Sequence, residues 1–177
     1  MKRLGRLFAA LMLLALIAAT LLLWPRLTPA PPGLPPLTGT VDRIVIEKSA
    51  RRMALIRDGE ELRVYPIALG FSPEGDKERE GDGRTPEGEY RIDRRNEHSA
   101  YHLSLGLDYP QPEDRARAQA GGYSPGGDIM IHGQPNSLPE NLMVKGDWTL
   151  GCIALSNAGM REIWAVAPIG TVVEIRP

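Results

Sequence analysis

An uncharged run rich in leucine and alanine, from Leu7 to Trp24, decides where the rest of this chain must fold. Lys2, Arg3 and Arg6 precede it, and a basic end before an apolar stretch is the pattern of an export signal. Its length lies near the boundary between a signal-peptide core and a spanning helix. The segment from Trp24 to Pro32 offers no clean small-x-small cleavage site, which favours a retained anchor. The run has no polar face, unlike a core helix, and no nearby cysteine that could carry a lipid. Six prolines between Pro25 and Pro36 then predict a stiff, extended spacer. The expected organisation is an anchor or signal (residues 1–24), a proline-rich linker (25–37) and one domain (38–177) outside the cytoplasm. About 140 residues suffice for a single domain with a real core.

The formal net charge is −1 and the two signs are interspersed, so no basic stripe points to nucleic acid. No repeat period appears. From Val41 to Leu69 the chain reads as β: Val41–Glu47, Arg52–Arg57 and Glu60–Leu69, the last two joined by Asp58-Gly59. In the third run Leu62, Val64 and Ala68 alternate with Arg63, Tyr65 and Ile67, the pattern of a half-buried strand. Ser72–Gly88 is rich in Gly, Pro and charge and reads as a surface loop. Glu89–Arg94 and Ala100–Leu107 are further strand candidates. Pro112–Ala120 is a short polar helix, started by its proline and stopped by Gly121-Gly122.

Asp128–His132 alternates, with Ile129 and Ile131 on one side and Met130 and His132 on the other, so His132 ends a strand and places its imidazole at a sheet edge. Met160, Ile163, Trp164 and Ala167 form one apolar helical stripe, capped by Ser156 or Asn157. Thr171–Ile175 is a final strand. The sum is a mostly-β domain with one packed helix, a capped sheet or distorted barrel.

The single cysteine, Cys152, lies in Thr149-Leu150-Gly151-Cys152-Ile153. A lone thiol serves no internal disulfide, and in an oxidising compartment it is a liability unless it has work to do. A buried small hydrophobe is the bland alternative. A cysteine nucleophile needs a base, because a free thiol is only slightly ionised at neutral pH. Of the three histidines, His132 is the best candidate, with Gly133 leaving space beside it. His102 lies in the alternating Tyr101–Leu105 segment as a surface or groove residue, and His98 sits among polar neighbours. Metal binding by histidines plus Cys152 is the competing use, but none of the usual zinc spacings is present.

Four ordered segments carry a specific resemblance: Gly81–Tyr90, Ser104–Pro110, Gly126–Gly133 and Asp147–Asn157. Together they resemble the L,D-transpeptidase catalytic domain of the YkuD type, in a Gram-negative, membrane-anchored subgroup, over about Val41 to Ile175. The resemblance implies a YkuD-like β-sandwich or distorted barrel with one packed C-terminal helix. It implies Cys152 as nucleophile on a peptidoglycan stem peptide and His132 as its base. The Gly133 carbonyl would hold the imidazole tautomer, and N–H groups around Gly151 and Cys152 would stabilise the oxyanion. Thr149, Tyr123, Arg84 and His102 are the implied substrate-binding or loop-orienting residues. A thioester acyl-enzyme would form, with no metal or organic cofactor. The implied location is the periplasm, with residues 7–24 in the inner membrane.

Two positions depart from the family's usual pattern: Leu150 where histidine is frequent, and Ala154 where arginine or asparagine is frequent. The missing arginine removes a carboxylate clamp, a task that would fall to Arg84 or Lys145. Transpeptidation, hydrolysis of an L,D linkage (including one that ties a lipoprotein to the wall) and a catalytically silent wall-binding module all stay open. The loop from Gln134 to Trp148 reads equally well as a lid or as a passive connection.

Overall fold

The computed structural model describes residues 11–15, 27–32 and 35–177. The expected anchor therefore lies largely outside the described residues; within it, 11–15 are helical and exposed. Among the described residues no helix is long and apolar enough to cross a membrane.

The strands are β1 (Leu27–Pro29), β2 (Arg43–Glu47), β3 (Arg52–Arg57), β4 (Glu60–Pro66), β5 (Gly88–Asn96), β6 (Ser104–Leu107), β7 (Met130–His132), β8 (Leu142–Val144), β9 (Ile153–Ala154) and β10 (Val172–Arg176). The helices are α1 (Pro112–Ala120) and α2 (Asn157–Val166). Eight strands form one sheet in the order β4-β3-β2-β10-β5-β6-β7-β9. The β2–β10 and β7–β9 pairs are parallel and the other neighbours antiparallel.

Curvature comes from β5. Its first half pairs with β10 and its second half with β6, with a register shift between Ile92 and Arg94. A bulge of this kind bends and twists a strand. The sheet curls until Ala68, just past β4, exchanges both backbone hydrogen bonds with Ala154 of β9 at 2.8 Å each. The result is a distorted barrel, as the sequence predicts, and its two ends meet beside Cys152. α2 packs Met160, Ile163 and Val166 into the core with Ile44, Ile46, Leu105 and Ile131. Ser156 caps it by accepting the Gly159 N–H at 3.1 Å. Trp164 is only partly buried, with the Arg95 guanidinium 3.9 Å over its ring.

Several sequence expectations need correction. In β4 the Tyr65 side faces inward while Val64 stays 39% exposed. Glu162 of α2 draws that face in, accepting from Tyr65 Oη at 2.5 Å and pairing with Arg63 at 3.0 Å. Ala100–Leu103 is not strand; it turns through His102, whose φ is +68°. The linker is not a free spacer: β1 pairs antiparallel with β8, inside the 134–148 loop. Further along, the Pro35 carbonyl accepts from Arg63 at 3.0 Å and the Leu37 N–H donates to Glu162 at 2.9 Å. Proline-rich backbone is already extended and keeps its carbonyl acceptors, so laying it on a surface costs little order. A cavity of about 370 Å3 lies between Pro31, Pro32, Pro36 and the Ala158–Ala165 face of α2.

Candidate active site

The parallel pairing of β7 with β9 sets Ile131 opposite Ile153 and His132 opposite Ala154. Cys152 directly precedes β9, so the pairing brings the imidazole and the thiol to the same end of two adjacent strands. Both line an open groove of about 710 Å3, together with Tyr101, Asp128, Trp148, Thr149 and Leu150. His132 does not sit at a free edge, because β6 and β9 flank its strand. It is 4% exposed, with Tyr101 and Trp148 at ring-centroid distances of 4.7 and 5.7 Å.

Nδ1 of His132 lies 2.7 Å from the carbonyl oxygen of Gly133. A carbonyl only accepts, so Nδ1 carries the proton and Nε2 is the basic nitrogen. Burial pushes the imidazole below its ordinary value of 6.5, partly opposed by the Gly133 bond. Burial likewise pushes the Cys152 thiol up, against a lowering backbone hydrogen bond from Met130. The thiol points at the Asp128 carbonyl, 3.4 Å away. Burial thus favours the neutral form of both groups.

Thr149 builds the turn that presents the thiol. Its hydroxyl donates to the Cys152 carbonyl at 2.7 Å and accepts the Gly151 N–H at 3.1 Å. Its backbone is tied on both sides, to Leu69 O at 3.1 Å and from Phe71 N at 2.9 Å. Gly151 has φ +131°, and a Cβ there would stand 2.6 Å from the Arg84 carbonyl oxygen. Only glycine suits the position. Because the Gly151 N–H is committed to Thr149, it is not a free oxyanion donor in this structure.

The loop that abuts Gly151 is pinned from below. Asp82 accepts backbone N–H groups of Glu78, Arg79 and Arg84 and the Lys77 ammonium at 2.8 Å. Burial raises its carboxyl, but those four bonds outweigh it and hold the group at about 2. Lys48, 2% exposed, reaches the Thr85 carbonyl at 2.9 Å and Glu87 at 2.8 Å.

Four expected residues lie away from the groove. The Arg84 guanidinium turns to Glu78 at 3.3 Å and to the Asp76 carbonyl at 3.2 Å; only its own carbonyl approaches Gly151. The Tyr123 ring folds over Gly121 at the end of α1. His102 Nε2 lies 3.4 Å from Arg161, and burial, then that cation, lower its basicity. Lys145 is exposed and does not line the groove.

Sequence reasoning missed Tyr101, Lys77 and Gln134, and gave Asn157 only a capping role. Trp148 stood in the quoted motif without a role. Its Nε1 is buried without a hydrogen-bond partner, the one such side-chain atom among the described residues.

The sequence model of the YkuD family, the L,D-transpeptidase catalytic domain, matches residues 41–175. The chain belongs to the L,D-transpeptidase catalytic-domain family. The Escherichia coli (strain K12) protein YafK, whose name assigns it to the L,D-transpeptidases, is 31% identical over 134 residues, covering 72% of this chain and 48% of YafK. The chain thus spans about half the length of the curated relatives it matches. Among solved structures, the helical cell shape determining protein Pgp2 of Campylobacter jejuni superposes with a TM-score of 0.59 at 27% identity. That match covers 77% of this chain and 48% of Pgp2. Bd1075 of Bdellovibrio bacteriovorus shares the fold, with a TM-score of 0.55 at 23% identity over 84% of this chain and 53% of its own.

In this L,D-transpeptidase domain the two unusual positions have opposite environments. Leu150 is 77% exposed at the groove rim, where a side chain can be exchanged freely. Ala154 is 0% exposed and exchanges both backbone hydrogen bonds with Ala68 in the contact that closes the barrel.

Proposed function

We propose that this domain is a cysteine acyltransferase acting on peptidoglycan stem peptides, an L,D-transpeptidase. The observation that carries the reading is the pairing of Cys152 and His132 in one groove, with Nδ1 of His132 spent on Gly133 and Nε2 left basic. Nε2 takes the thiol proton as Sγ attacks the scissile carbonyl; the carbon–nitrogen bond breaks and the imidazolium returns that proton to the departing amine. The product is a thioester on Cys152. An acceptor amine then restores the thiol and forms a new peptide bond. The likeness to Pgp2, a helical cell shape determining protein, supports a wall polymer as substrate.

Hydrolysis of the same thioester is the second reading, favoured by one feature. Among the described residues, the one lysine or arginine lining the groove is Lys77, which is 3% exposed and already bonded to Asp82. An incoming acceptor carboxylate finds no open cation there, whereas water needs none. In the hydrolytic reading a wall-linked lipoprotein becomes a candidate substrate. The export-type N-terminus supports a domain held in the periplasm by an inner-membrane anchor at residues 7–24.

Incubation of wild-type protein and Cys152→Ala with purified muropeptides, read by mass spectrometry, tests the proposal. Cysteine-dependent cross-linked dimers are expected. Cysteine-dependent release without dimers selects the hydrolase, and no cysteine-dependent product refutes both.

A further inference from the structure

The peptide group that joins Gly133 to Gln134 is gripped at both ends. Its carbonyl oxygen lies 2.7 Å from Nδ1 of His132, and its N–H donates to Oδ1 of Asn157, also at 2.7 Å. Asn157 opens α2 and is 7% exposed, yet the helix cap is made by Ser156, so the Asn157 carboxamide is not needed for capping. The approach is close: a Cβ on Gly133 would stand 2.6 Å from Asn157 Oδ1. Gly133 has no positive φ, so its lack of a side chain serves close packing, against Asn157 first and His102 Cβ at 2.9 Å next, rather than a turn.

We propose that Asn157 is a positioning residue for His132, acting through the Gly133–Gln134 peptide; this rests on the reading of His132 as the base. A peptide group is planar, so fixing the direction of its N–H fixes that of its C=O. An N–H that is itself hydrogen-bonded also makes the carbonyl of the same peptide a stronger acceptor. Asn157 therefore holds the acceptor that keeps the proton on Nδ1 and leaves the Nε2 lone pair for the thiol. In a Ser-His-Asp triad the third residue bonds the imidazole directly. Here a peptide bond stands between the two.

The Gln134 side chain extends the same unit. It is 1% exposed, accepts the Val144 N–H at 2.8 Å and donates to the Leu155 carbonyl at 2.8 Å. The base, the 134–148 loop and the corner after Cys152 thus share one hydrogen-bonded node.

The test uses the full chain, labelled with 15N-histidine, as wild type, Asn157→Ala, Asn157→Ser and Asn157→Asp. Ala and Ser do not reach the Gln134 N–H, whereas Asp keeps an acceptor; the two truncations guard against one failing to fold. NMR of the imidazole nitrogens should show the Nδ1–H tautomer in wild type and Asn157→Asp, and a shift toward Nε2–H in the truncations. Acylation of Cys152 by a carbapenem should slow roughly tenfold in the truncations, a part of what a positioned base supplies, with apparent donor affinity little changed. A folded truncation with the wild-type tautomer, or an Asp variant that behaves like Ala, overturns the proposal. The tautomer is read without turnover. An Asn157-dependent tautomer in a wild type that forms no acyl-enzyme upholds the relay and counts against His132 as catalytic base.

Discussion

The Thr149 hydroxyl bridges the Leu150–Gly151 and Cys152–Ile153 peptide groups, donating to the Cys152 carbonyl at 2.7 Å and accepting the Gly151 N–H at 3.1 Å. One oxygen therefore sets the backbone that presents the thiol. Thr149→Val leaves both partners unpaired in a site where Thr149 is 4% exposed. We expect a loss of about 1–3 kcal/mol in unfolding free energy, the cost of orphaned buried polar groups, together with slower acylation of Cys152. Thr149→Ser should retain most of both. Chemical denaturation and acylation kinetics on the pair check this.

Gly151→Ala should be worse tolerated than its size suggests. It forces φ +131° on an alanine and places a methyl 2.6 Å from the Arg84 carbonyl oxygen. Strain of this kind costs on the order of 1–3 kcal/mol before the clash is counted. Thermal unfolding should show a lower midpoint, with acylation lost alongside it.

The order of the site was legible in the sequence where chemistry and local pattern coincide. Cys152 and His132 stood out because the one thiol follows a Thr-x-Gly turn and the histidine ends an alternating strand. Tyr101 and Lys77 were not legible, since the first reaches His132 from a turn read as strand and the second is buried by an ion pair with Asp82. β1 was hidden for a different reason. Three residues of a proline-rich segment carry no strand pattern, and the pairing depends on a partner over a hundred positions away. The inward face of β4 was hidden as well, because Glu162 of α2, rather than apolarity, draws Tyr65 in.

Protonation gives the third prediction. Burial lowers the His132 imidazole below 6.5, so the base stays neutral and active as pH falls through that value. Burial also raises the Cys152 thiol above 9.0, so alkylation by a neutral reagent should keep rising past that pH. The acid limb of acylation should therefore lie below pH 6.5. A limb above 6.5, or a thiolate plateau at neutral pH, would indicate an ion pair instead.

Asp82 supplies the fourth. Its folded carboxyl titrates at about 2 against 3.8 for an ordinary aspartate. A depressed carboxylate stabilises the fold above the unfolded value, and that contribution disappears as pH falls through the folded one. The expected loss between about pH 4 and pH 2 is about 2 kcal/mol. Asp82→Asn should be less stable at neutral pH and lack that part of the acid transition, as read by denaturation at each pH.

The central claim is that Cys152 forms a thioester with His132 as its base. Intact-protein mass spectrometry after exposure to a carbapenem tests it most directly, with the adduct located by peptide mapping. One acyl group per chain is predicted, on Cys152, absent from Cys152→Ala and formed roughly 10²- to 10⁴-fold more slowly in His132→Ala. An adduct elsewhere, none at all, or a rate indifferent to His132 would contradict the account.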